Sequence, residues 1–146
     1  MTTPEFTLTR TLDAPVERVW EAWTNPDHLA RWHHPVGVST PRETVSVDLR
    51  EGGSYAYTMV VDETGETYPT AGTYLTVEPP HRLVFTWGAP DTPADDQPVV
   101  SLSLDTAGES TALTLHVRGI AGEPGDDDVY DGWNEALDSL ETHVSA

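Results

Sequence analysis

DVYDGWNEALDSLETHV, residues 128–144, is the stretch that decides the fold. Val129, Trp133, Leu137, Leu140 and Val144 recur at steps of four, four, three and four, which places them on one face of an α-helix. Asp131, Asn134, Glu135, Asp138 and Glu141 fall mostly on the other faces, where they stay in water. A helix of this length is a rod of roughly 24 Å, long enough to cross a small domain. Burying five such side chains contributes roughly 7–15 kcal/mol, an upper bound because unfolded chains are already partly collapsed. The net stability of a whole domain is of the same size, so the rest of the chain must be organised around this helix.

Outward from the helix the period changes from 3.6 to two. Leu113, Leu115 and Val117 alternate with polar residues, as do Val100, Leu102 and Leu104, with Ala107-Gly108-Glu109 between them as a hairpin turn. Leu83, Phe85 and Trp87 alternate in the strand before, and Pro79-Pro80 separates it from a strand over Tyr68–Val77. In that strand Leu75 and Val77 fall on one side and Tyr74 on the other. Tyr55, Tyr57, Met59 and Val61 form another strand, preceded by a turn at Glu51-Gly52-Gly53 and a strand through Val45, Val47 and Leu49. FTLTRTLD supplies the first strand, with Phe6, Leu8 and Leu12 on one side and Arg10 as a polar interruption.

Two short helices follow it: one with Pro15 in its first turn and Asp13 or Ala14 as cap, the other capped by Asn25 with Pro26 at its first position. Gly88–Pro98 and Gly119–Asp128 are acidic loops. The reading is an α+β fold with about seven antiparallel strands in the order β-α-α-β6-α. A sheet of that size curls, and the last helix is its available cover.

The 146 residues suit one domain, 1–146, able to bury about two-thirds of its unfolded surface. Cysteine is absent, which removes disulfides, thiolate nucleophiles and cysteine-held metals. Acidic residues number 25 against seven arginines, and there is no lysine. A field of that sign repels phosphate backbones, so neither nucleic acid nor an anionic membrane is an expected partner. Solubility or adaptation to salt accounts for the acidity, and the sharper alternative is a basic partner or a cationic ligand. MTTPEFTLTR has no apolar core of signal-peptide length and no later run approaches a membrane span, so a soluble cytoplasmic protein is expected.

The segments APVERVWEAWTNPDHLARW (14–32), VDLREGGSYAY (47–57), GTYLTVEPPHRLVFTW (72–87) and GWNEALDSL (132–140) together resemble the START-like, or helix-grip, superfamily. The branch they are most similar to is that of the Hsp90-ATPase-activator homologues. The resemblance implies a curved sheet gripping the C-terminal helix, with an apolar cavity between them. It also implies binding of lipids, hormones or polyketide-like molecules, while some members act as cyclases. Two departures stand out. Where relatives carry an aromatic and then Gly-Pro after Trp32, this chain has His33-His34-Pro35. The separate N-terminal domain of the namesake co-chaperones has no counterpart in the sequence, which makes a co-chaperone role the weakest expectation.

Under that resemblance the ligand-binding candidates are Trp32, His33, Tyr55, Tyr57 and Met59, then Tyr74, Phe85, Trp87, Trp133 and Leu137. Aromatic side chains on alternating strand positions suit a cavity wall, since tyrosine packs its ring while its hydroxyl seeks a partner. They suit a filled core equally well. His33 and His34 are the candidate acid–base residues, with unperturbed pKa values near 6.5; a helix end facing water is the plainer account of them. The spacing of His28, His33 and His34 does not match a helical zinc site, so no metal is expected, nor any cofactor. His81 falls in a proline turn, His116 on the polar face of its strand and His143 near the end of the chain.

No nucleophile–base–orienter set and no phosphate-cradling glycine loop can be read. The expected function is non-enzymatic binding of a small hydrophobic or amphipathic molecule by a monomer or homodimer. A cyclase- or hydrolase-type enzyme using His33 or His34 with a tyrosine is the alternative, followed by a chaperone-associated protein-binding module.

Overall fold

A computed structural model of the chain describes residues 4–34, 36–126 and 129–145. Residues 1–3 of the segment read for a leader, Pro35 after the histidine pair, and Asp128 at the start of the C-terminal helix lie outside them. The elements in order are β1 (Glu5–Leu12), α1 (Val16–Thr24), α2 (Pro26–Trp32), β2 (Val38–Ser39), β3 (Ser46–Val47), β4 (Ser54–Val61), β5 (Thr67–Glu78), β6 (Arg82–Thr86), β7 (Val99–Ala107), β8 (Ser110–Arg118) and α3 (Val129–Ser145). Eight strands form one curved antiparallel sheet in the order β1-β8-β7-β6-β5-β4-β2, with β3 also on β4.

Two-residue alternation puts Leu102, Leu104, Leu113 and Leu115 on the covered face of the β7–β8 hairpin, each 0–1% exposed. On α3, Trp133, Ala136, Leu137, Leu140 and Val144 are buried, while Val129 is only half-buried. Arg10, the polar interruption of β1, is what fastens that helix. Its guanidinium donates to Asp138 Oδ1 at 2.6 Å, Glu141 Oε2 at 3.2 Å, Asn134 Oδ1 at 2.5 Å and the Asn134 carbonyl at 3.2 Å.

The sequence expectations need four local corrections. Helix α1 starts at Val16 with Pro15 as its cap and no side-chain cap bond, so neither Asp13 nor Ala14 serves. Asn25 does cap α2, accepting from the Asp27 N–H at 2.9 Å. The strand expected through Val45–Leu49 shrinks to Ser46–Val47, because the Asp48 N–H bonds to Ser54 O and the Arg50 N–H to Asp48 O, which closes a turn and leaves Leu49 outside.

The eighth strand, β2, is two residues on the far end of β4. Finally, β5 shifts register between Tyr74 and Thr76, so Tyr74 pairs with Phe85 and Val77 with Leu83. Such a bulge carries one extra residue. It places Val77 on the same side as Tyr74, packed against the core, and leaves Leu75 exposed.

Candidate functional site

A cavity of about 310 Å³ lies between α3 and the β4–β5 end of the sheet. Alternation on β4 supplies Tyr57 and Met59, and alternation on β5 supplies Tyr68 and Thr70. Trp87 follows β6, and His33 follows α2. The helix contributes Val129, Gly132, Trp133 and Ala136, positions i, i+3, i+4 and i+7 of a single face. The volume lies at the lower end of the range of about 300–1,000 Å³ typical of small-molecule sites.

Gly132 and Ala136 keep the helix wall open. A Cβ added to Gly132 would meet nothing within 4 Å. Glycine in a helix costs up to about 1 kcal/mol relative to alanine, so this position gives up helix stability where no crowding demands it. One turn further on, alanine again leaves space that a larger side chain would fill.

The inner end of the cavity is a hydrogen-bonded trio. His33 Nε2 lies 2.9 Å from the Tyr57 hydroxyl, and Trp87 Nε1 donates to the same oxygen at 3.2 Å. His33 is held from both sides of the chain: its N–H bonds to the Leu29 carbonyl and its own carbonyl accepts from the Thr40 hydroxyl at 2.8 Å. The ring is buried, and Nδ1 has no hydrogen-bond partner among the described residues. Burial, with His34 nearby adding a like charge, pulls its pKa down to about 3. Burial also pushes the Tyr57 hydroxyl well above its ordinary range, against smaller lowering effects from Trp87 and Thr70. At neutral pH both groups are uncharged.

Behind this trio is a second, much smaller space of about 20 Å³, walled by Trp23, Leu29, Leu83, Tyr55, Tyr74 and Phe85. His33 and Tyr57 line both spaces and stand between them. Tyr55 is fixed there because its hydroxyl donates to the Thr86 carbonyl at 2.6 Å and Gly72 lets its ring lie across β5. Any Cβ at Gly72 would overlap both the Thr86 carbonyl and the Tyr55 ring.

The sequence candidates therefore divide by position. His33, Tyr57, Met59, Trp87 and Trp133 come together around the larger cavity, whereas Tyr55, Tyr74 and Phe85 wall the inner void. Trp32 and Leu137 reach neither. Trp32 is fully buried with its Nε1 donating to the Ala22 carbonyl at 2.8 Å, and Leu137 is fully buried under α3. His34 lies on the outer side of the same turn, its Nε2 3.2 Å from the Arg31 carbonyl.

Five wall residues were missed by sequence reasoning: Tyr68, Thr70, Val129, Gly132 and Ala136. A signal existed for most of them. Tyr68 and Thr70 precede Tyr74 at even spacing, and Gly132 and Ala136 flank Trp133 on its own helix face.

The remaining histidines are structural contacts. His81 Nδ1 lies 2.8 Å from the Leu104 carbonyl, and His116 Nε2 lies 2.8 Å from Glu5 Oε1. His143, read as merely near the end of the chain, meets His28 at 2.8 Å and ties the end of α3 to α2. No group of three or more metal-ligating side chains is found among the described residues. Nor is any helix among them long and apolar enough to cross a membrane.

Comparison with known proteins follows the same geometry. The model of the family described as Activator of Hsp90 ATPase homolog 1-like protein matches residues 13–145. Protein CV1439 from Chromobacterium violaceum is 27% identical, with a TM-score of 0.84 over 97% of this chain and 98% of its own. Protein NE0264 from Nitrosomonas europaea is 27% identical, with a TM-score of 0.82 over 97% and 94%. CalU16 from Micromonospora echinospora is 31% identical, with a TM-score of 0.68 over 98% of this chain and 77% of its own. No curated protein matches the chain.

Proposed function

This chain belongs to the Activator of Hsp90 ATPase homolog 1-like family, and from that premise we propose that it is a non-enzymatic carrier or sensor of a small hydrophobic or amphipathic molecule. The fold is of a type that supports a ligand-binding or related domain; the ligand and the site are the proposal. One observation carries it. The wall of a cavity of about 310 Å³ is left open by Gly132, at a helical position with nothing within 4 Å of where a side chain would begin. Around that opening are Met59, Val129, Trp87 and Trp133, with Tyr57 and Thr70 supplying hydroxyls. Apolar walls with a few placed polar groups are what small-molecule sites share.

The enzyme reading has one observation in its favour, the contact between His33 and Tyr57. Electrostatics weighs against it. An effective general base has a pKa near the working pH, and burial takes His33 down to about 3 and moves Tyr57 further up. His33 Nδ1 also has no partner to orient the ring as a base among the described residues. We therefore read the pair as a polar wall that hydrogen-bonds, without transferring a proton. A panel of lipids, aromatics and polyketide-like compounds, screened by melting temperature and native mass spectrometry, tests the proposal. A bound compound with a raised melting temperature supports it, and no shift and no bound mass across the panel overturns it.

A further inference from the structure

Among the described residues the cavity has aromatic walls and no charged side chain, in a chain whose formal net charge is −18. Tyr57, Tyr68, Trp87 and Trp133 bring four electron-rich rings to it. Trp87 and Trp133 meet with centroids 5.3 Å apart and planes at 61°, a corner and not a face-to-face stack. Ring faces attract cations through their quadrupole, indole most strongly.

Three features weigh against an anion. None of the seven arginines lines the cavity; Arg10 is held by Asp138 and Glu141, Arg42 by Asp27 and Arg50 by Asp48. His33, the one basic group in the wall among the described residues, is kept neutral by burial. The N-terminal turn of α3, which lines the cavity through Val129 and Gly132, would ordinarily favour negative charge. Here the Asp126 carboxylate already accepts from the N–H groups of Tyr130 and Asp131, each at 3.2 Å. An anionic ligand thus meets no counter-charge and must enter a negative field, whereas a cation is drawn in by that field.

We propose that the cavity selects a small organic cation, an ammonium group carrying apolar arms, with Trp87, Trp133 and Tyr68 as the rings that contact the charge. The inference rests on the ligand-binding reading above and narrows it to cationic amphiphiles. Quaternary ammonium groups fit best, because the wall formed by the described residues holds no carboxylate to receive several N–H donors.

The test uses three compounds of one shape: meta-hydroxyphenyltrimethylammonium, its uncharged carbon isostere meta-tert-butylphenol, and the anion meta-hydroxybenzenesulfonate. Each is titrated by calorimetry into the whole protein at about 0.15 M and at about 1 M salt. The cation is expected to bind about tenfold more tightly than its isostere, part of the preference to survive at high salt because ring contact persists when the field is screened, and the sulfonate not to bind. Tyr68→Leu, at a position 54% exposed and so tolerant of change, is expected to reduce the preference for the cation over its isostere.

Equal binding of cation and isostere, binding of the sulfonate, loss of the preference at high salt, or no binding of the cation overturns the inference. Binding of the isostere without the cation removes the charge selection and leaves the ligand-binding reading standing. If none of the three binds, the charge selection falls and the wider panel decides the cavity's role.

Discussion

His33 Nε2 lies 2.9 Å from the Tyr57 hydroxyl, and the two side chains together form the partition between the larger cavity and the inner void. The partition is polar, neutral and buried. Its polarity has a measurable consequence for folding, because the unfolded chain offers His33 a proton that the native chain refuses.

Unfolded, His33 titrates at its ordinary value of 6.5; folded, at about 3. Because the native pKa is the depressed one, the unfolded state binds the extra proton as pH falls below 6.5. Stability is therefore lost from there down to about pH 3, and the group is silent above 6.5. Between pH 6.5 and 5 the loss is about 2 kcal/mol. His33→Phe, which keeps an aromatic ring and removes the titrating nitrogens, should flatten this part of the profile in urea unfolding. An unchanged slope would show that other groups set it.

Tyr57→Phe keeps the ring and removes the oxygen shared by His33 and Trp87. Leaving the buried His33 nitrogen and the part-buried Trp87 nitrogen without that partner should destabilise the protein by about 1–3 kcal/mol. A change below about 0.5 kcal/mol in denaturant unfolding would mean the trio contributes nothing net.

Arg10→Met should release α3 from β1. The guanidinium is 19% exposed and makes four contacts with Asn134, Asp138 and Glu141, two of them charged partners at the surface. Hydrogen bonds to charged groups contribute about 1.5–3 kcal/mol, and solvent screening of Asp138 and Glu141 takes the expected loss to about 1–2 kcal/mol. Hydrogen exchange should show the effect first in α3.

Deleting α3 should abolish cooperative unfolding, since Trp133, Ala136, Leu137, Leu140 and Val144 are buried on the same face of it. A truncated chain with a normal melt would contradict the central place given to this helix.

The helix and the succession of strands along the chain were legible because their signals are periodic and local. Val129 to Val144 kept one face over more than four turns, and the alternation of Leu102, Leu104, Leu113 and Leu115 admitted one inward side. What was not legible depends on single residues without a period. The bulge between Tyr74 and Thr76 shifts Val77 to the inner face with no marker such as glycine. β2 is too short to alternate at all. In the site, Trp32 and Leu137 were candidates on helices, yet both are core, since burial by several layers leaves no trace in spacing. Gly132 went unread as a cavity residue because a missing side chain is visible only when the space before it is known.

That glycine gives the most direct test of the account. Gly132→Leu puts a side chain into the cavity and replaces a weak helix former with a strong one, worth up to about 1 kcal/mol. Wild type and variant are melted side by side with the same panel of small apolar and amphipathic compounds. The account predicts that a compound at about a hundred times its dissociation constant stabilises the wild type by about 2.7 kcal/mol. It also predicts that Gly132→Leu, no less stable on its own, does not respond to that compound. A wild type indifferent to every compound, or a variant that responds as the wild type does, would contradict it.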